Sequence, residues 1–148
     1  MNILVIDGQG GKIGSMVISL IKKTMPNQEI IAVGTNSIAT TAMLKAGADK
    51  GASGENPVIV NSKKAHIIVG PLGIAVANAM LGEVTPKMAE AIGNSDAQKI
   101  LIPTNNCNNY VAGTENLSIN DFDDRRGDAL RQELYLRQRR LERPAHRL

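Results

Sequence analysis

Apolar residues along this chain fall into two spacings that separate strands from helices. Runs of Ile, Val and Leu occupy residues 3–6, 30–33, 67–69 and 100–102, each soon closed by Gly, Pro, Thr or Asn. Short continuous runs of this kind mark parallel strands buried from both sides. Between them the apolar positions follow a helical period. Over residues 12–24, Ile13, Met16, Val17, Leu20 and Ile21 share one face, and the pattern stops at Met25-Pro26-Asn27. Residues 38–46 are rich in Ala, Met and Leu, end at Gly47, and offer Asn36 or Ser37 as a cap. Residues 55–64 form a weaker helix with Pro57 in its first turn, although Val58-Ile59-Val60 also fits a strand. Two more helices are predicted over 74–81 and 86–92, separated by Gly82-Glu83-Val84-Thr85. Thr85 or Glu83 stands near the start of the second, and Gly93 follows its end.

Strands alternating with helices at this spacing imply right-handed crossovers and a parallel sheet. The predicted fold is α/β: a single Rossmann-like domain over residues 1–120, with about four strands and helices on both faces. Composition agrees with that core. Apolar residues make up 43% of the chain, yet only Tyr110, Phe122 and Tyr135 are aromatic, so aliphatic side chains must fill the interior. Cys107 is the single cysteine, which excludes an internal disulfide and fits a reducing compartment. Asp7 interrupts the first apolar run, so no signal peptide is expected. The later run over residues 73–81 is too short to span a bilayer. A cytoplasmic protein without a membrane segment is the expectation.

Charge divides the chain. Its nine lysines all lie at or before Lys99, whereas its eight arginines all lie at or after Arg125. Residues 121–148 therefore read as a separate arginine-rich tail, with Leu130, Leu134 and Leu141 as a short helical stripe. Two origins fit the switch in cation type: foreign sequence joined by frameshift or fusion, or a basic arm for nucleic acid. Six acids in the tail and the scarcity of stacking aromatics disfavour nucleic acid. The tail is expected to be dispensable for folding.

The candidate chemistry begins at the first strand end, which reads Gly8-Gln9-Gly10-Gly11-Lys12-Ile13-Gly14. Gly8 and Gly10 fit the dinucleotide fingerprint G-x-G-x-x-G, and Gly14 falls one residue late. The physical logic persists through the slip: a tight turn at Gly8, backbone approach to a phosphate at Gly10 or Gly11, and helix-on-strand packing at Gly14. The following helix N-terminus would favour the phosphate charge. Lys12 precedes Ile13 rather than Ser or Thr, so this is not a Walker A loop. A turn with no ligand is the plainer reading.

An NAD site would place an acid after the second strand, but Val33-Gly34-Thr35-Asn36 has none. That absence points to NADP, another nucleotide or a smaller anion, with Thr35 and Asn36 contacting the ligand or capping the next helix. Thr104, Asn105 and Asn106 should join them along the carboxyl edge of the sheet, overhung by Asn78, Glu83 and Thr85. Catalytic residues are not identifiable. His66 lies at the opposite edge, His146 is in the tail, Cys107 has no neighbouring His, and Asp7 best serves to shape the glycine loop. No metal-ligand spacing occurs.

The stretches VIDGQGGKIG, VGTNSIATTAMLKAGA, GENPVIVNSKKA, GPLGIAVANAMLGEVTPKMAEAI and KILIPTNNCN carry a resemblance to a known family. Over residues 1 to about 110 the chain resembles a family of short bacterial proteins bearing domain of unknown function 3842. The resemblance implies a Rossmann-like fold and no particular activity, and the tail does not match the family's ending. A nucleotide-type ligand, NADP first, is thus expected at Gly8, Gln9, Gly10, Gly11, Lys12, Ile13, Gly14, Thr35, Asn36, Thr104 and Asn105. The alternative is a ligand-sensing or structural module without nucleotide binding or catalysis. Open sheet edges and the apolar 74–81 region lead to an expectation of homo-oligomers.

Overall fold

The computed structural model describes residues 1–104, 109–114 and 125–142. Five parallel strands form the sheet: β1 (Ile3–Asp7), β2 (Ile30–Gly34), β3 (Lys50–Ser53), β4 (Ile67–Pro71) and β5 (Gln98–Ile102). Their order is β3-β2-β1-β4-β5. The helices are α1 (Lys12–Thr24), α2 (Ser37–Lys45), α3 (Glu55–Ser62), α4 (Pro86–Asn94) and α5 (Arg125–Glu142), with a 3₁₀ turn at Leu72–Ala75. This is the expected Rossmann-like α/β architecture. No helix among the described residues is long and apolar enough to cross a membrane.

Alternation along the central strands divides the interior into two cores. Ile3 and Val5 of β1, with Ile67 and Val69 of β4, face Val17, Ile18 and Ile21 of α1 and Met43 of α2. Leu4, Ile6 and Ile68 face the other way, toward Val58, Ile74, Met88 and Ile92. All five residues of β1 and of β4 are buried, which explains the apolar runs over residues 3–6 and 67–69.

Three expectations are revised. A fifth strand, β3, joins the expected four at Lys50-Gly51-Ala52-Ser53, a stretch with no apolar run. It is a largely exposed edge strand held by pairing with β2. The helix predicted over 74–81 is absent: a 3₁₀ turn gives way to consecutive turns, with Asn78, Met80 and Leu81 at φ of 64°, 57° and 57°. Backbone bonds from Asn78 N to Val84 O and from Val84 N to Ala79 O hold this segment. Within this region Ile74 and Ala79 are buried in the domain, and Leu81 is 99% exposed. Lastly, α5, the described part of the tail, packs on the body. Leu130 and Leu134 are 3% and 1% exposed in the same core as α1, and Gln98 Nε2 of β5 donates to Glu133 Oε1 at 2.5 Å. Leu141, the third residue of the stripe, is 49% exposed.

Candidate functional site

β1 lies between β2 and β4: the chain lays β2 and β3 on one side of it, then crosses back to place β4 and β5 on the other. In open parallel sheets, ligands bind outside the carboxyl ends of the strands at such a switch point. A cavity of about 150 Å³ occupies that place, lined by Asp7, Gly8, Gln9, Gly10, Gly11, Lys12, Ile13, Pro71, Met80 and Thr104. The wider grooves of the molecule, including one of about 540 Å³ along α3 and α4, lie elsewhere.

Asp7 shapes the loop. Its Oδ1 accepts from the Gly8 N–H and its Oδ2 from the Gly14 N–H, each at 2.7 Å. Burial raises the Asp7 carboxyl above its ordinary value, helped by the nearby Glu83 charge and opposed by the N–H groups of Gly14, Gly8 and Ile13. Within the loop, the Gly11 N–H donates to Gly8 O at 2.9 Å, closing a turn. Among the described residues, neither the Gly10 nor the Lys12 N–H meets a protein acceptor. Lys12 opens α1, whose first N–H groups lack intrahelical partners, and Gly10 stands just before the N-cap residue Gly11.

The glycines divide by role. Gly11 has φ of 70°, and a Cβ there would meet Ala39 O at 2.8 Å and Ala39 Cα at 2.9 Å. It is needed for the turn and for the approach of α2. On Gly14 a Cβ would meet Asp7 Cβ of β1 at 3.0 Å, as expected of a helix packed closely on its strand, and Met43 Sδ of α2 at 2.5 Å. Gly10 is different: a Cβ there would meet nothing within 4 Å, and its φ is not positive.

The end of β2 joins the loop through a residue from outside both. Glu83 Oε1 accepts from the Gln9 N–H at 3.0 Å, Thr35 Oγ1 at 2.7 Å and Asn36 Nδ2 at 2.5 Å. Burial alone would raise the Glu83 carboxyl, but these hydrogen bonds from Thr35, Asn36 and Gln9 hold it below its ordinary value. Asn36 also donates to Gln9 O at 3.0 Å, while its Oδ1 caps α2 by accepting from the Ala39 N–H. Thr35 and Asn36 thus sit beside the loop as expected, Asn36 acting as both cap and tether. The sequence placed Glu83 only as an overhanging residue; its place at the hub depends on the turns over 76–84, which carry no apolar period. Thr85 starts α4, its Oγ1 accepting from the Met88 N–H at 3.2 Å and donating to Glu55 Oε2 at 2.5 Å.

Thr104 lines the cavity. Asn105, Asn106, Cys107 and His146 lie outside the described residues. His66 precedes β4 at the opposite edge of the sheet, exposed, with its Nδ1 accepting from the Asn2 N–H at 2.9 Å.

The family model described as "Domain of unknown function (DUF3842)" matches residues 2–132, and the chain belongs to that family. The match continues past residue 110 into the first part of α5. Comparison with curated proteins and with solved structures found no match.

Proposed function

We propose that this member of the DUF3842 family binds the phosphate of a nucleotide or dinucleotide at the 8–14 loop. Gly10 is the observation that carries the reading. It is a glycine that neither its φ nor its packing requires, on a loop facing the switch-point cavity. Absence of a side chain there leaves the Gly10 and Lys12 N–H groups accessible to an anion at the start of α1. The Lys12 ammonium supplies the matching charge.

The cavity suits a phosphate group rather than a whole dinucleotide. Its roughly 150 Å³ is below the ~300 Å³ at which sites for drug-sized ligands begin. The rest of a nucleotide would lie along the carboxyl edge, past Thr35 on one side or Thr104 on the other. Asp7 is engaged by loop N–H groups through both carboxylate oxygens, which suits a binding role over acid–base work.

Thermal unfolding with NADP(H), NAD(H), ATP or CoA at millimolar concentration tests the proposal. A ligand at about a hundred times its Kd adds about 2.7 kcal/mol to stability, a rise of roughly 5–10 °C for a chain of this size. No rise with any of the four would overturn the nucleotide reading and leave a smaller anion as the loop's use.

A further inference from the structure

We infer that Glu83 sets which ligand the crevice accepts: one presenting a vicinal diol beside the end of β2, as in the unmodified ribose of NAD, rather than a phosphate there, as in NADP. This rests on the nucleotide reading above and makes it specific.

The sequence pointed toward NADP because no acid follows β2. In three dimensions an acid is present, delivered by the turns between the 3₁₀ segment and α4. Glu83 Oε1 is fixed by Gln9 of the glycine loop and by Thr35 and Asn36 after β2, between the two elements a ribose would bridge. Three donors occupy that one oxygen. Oε2 meets no protein donor among the described residues and is left to accept from a ligand hydroxyl. A carboxylate rewards hydroxyl donors, whereas a phosphate brings like charge and no proton at neutral pH.

Nothing after β2 neutralises a phosphate. Residues 35–44 contain no lysine, arginine or histidine. Lys12, the loop's cation, is the partner of the phosphate bound at Gly10. Glu83 is also held from behind. The Glu83 N–H donates to Met80 O at 3.1 Å, and Asn78, Met80 and Leu81 take positive φ to bring the chain over the loop. Burial and the donors from Thr35, Asn36 and Gln9 together leave the carboxyl below its ordinary value, and so ionised at neutral pH.

Calorimetric titration of the full chain with NAD⁺ and with NADP⁺, which differ only by the 2′-phosphate, tests this. Wild type should bind NAD⁺ at least about tenfold more tightly. Glu83→Gln should weaken NAD⁺, strengthen NADP⁺ and bring the two within about threefold of each other. The wild-type ratio alone decides the matter if that variant does not fold. NADP⁺ binding as tightly as NAD⁺ overturns this inference and leaves the phosphate reading intact. An unchanged ratio in Glu83→Gln, or equal tightening of both ligands, also overturns it; equal tightening would make Glu83 a plug that ligands displace. Binding of neither nucleotide overturns both readings together.

Discussion

Asp7 and Gly14 are joined across the glycine loop by a 2.7 Å hydrogen bond from the Gly14 N–H to Asp7 Oδ2. With Oδ1 held by Gly8, one carboxylate spans the loop from its first residue to its last glycine. The loop's shape is thereby set by the protein itself, which lowers the ordering cost of binding.

Removing the carboxylate should therefore loosen the fold as well as the site. Asp7→Ala leaves two buried N–H donors without acceptors and is expected to cost about 1–3 kcal/mol at neutral pH, net of the relief from burying a charge. Asp7→Asn keeps one acceptor and should cost less. Denaturant unfolding measures both. An Asp7→Ala variant as stable as wild type would show that the loop does not depend on this carboxylate.

Acidification should act on Asp7 and Glu83 in opposite directions. The fold raises Asp7 above 3.8, so its contribution is fully present below that value and lost as pH rises through the raised one. The fold lowers Glu83 below 4.5, so its contribution is present above that value and lost as pH falls through the lowered one. Relative to wild type, Glu83→Gln should recover stability as pH falls, and Asp7→Asn as pH rises. Unfolding curves between about pH 3 and pH 7 would reveal the two slopes. Parallel slopes would contradict the assignment.

Gly11 and Gly10, adjacent in sequence, should respond differently to substitution. Gly11→Ala puts a Cβ against the Ala39 backbone at a φ of 70° and should cost at least about 1–3 kcal/mol. At Gly10 a Cβ meets nothing within 4 Å and φ is not positive, so Gly10→Val should stay within about 0.5 kcal/mol of wild type. Melting temperatures of the two variants decide this. Equal losses would mean that Gly10 is a structural glycine after all.

The arginine-rich helix should be needed for stability. Leu134 is 1% exposed in the core shared with α1, so Leu134→Ala is expected to cost about 2–5 kcal/mol. Truncation after residue 120 should lower the melting temperature, against the expectation from composition alone. An unchanged melting point on truncation would show that the helix contributes nothing to the fold.

Legibility of the fold in the sequence followed burial. β1, β2 and β4 stood out because each is a continuous apolar run, and α1 because five apolar residues share its face. Edge strand β3 was hidden, since a strand pairing on one side needs no apolar run to be held. Residues 74–81 read as helix because Ala, Met and Leu favour it, while positive φ at Asn78, Met80 and Leu81 leaves no compositional trace. Glu83 could not be assigned for the same reason: three partners 47 to 74 positions away define it. The stripe of Leu130, Leu134 and Leu141 was legible as a helix, but its surrounding charge gave no sign that Leu130 and Leu134 are buried in the core shared with α1. Glycine spacing located the loop, but which glycine serves the fold depended on what a Cβ would touch.

The most direct test of the phosphate cradle is titration of Gly10→Val with NAD⁺, NADP⁺ and ATP, beside wild type and with melting temperature as the control. The expected result is a loss of affinity of about tenfold or more, on the order of 1–3 kcal/mol, with the melting temperature of the free protein unchanged. Wild-type affinity in a normally folded Gly10→Val variant would place the ligand elsewhere and contradict the proposed cradle.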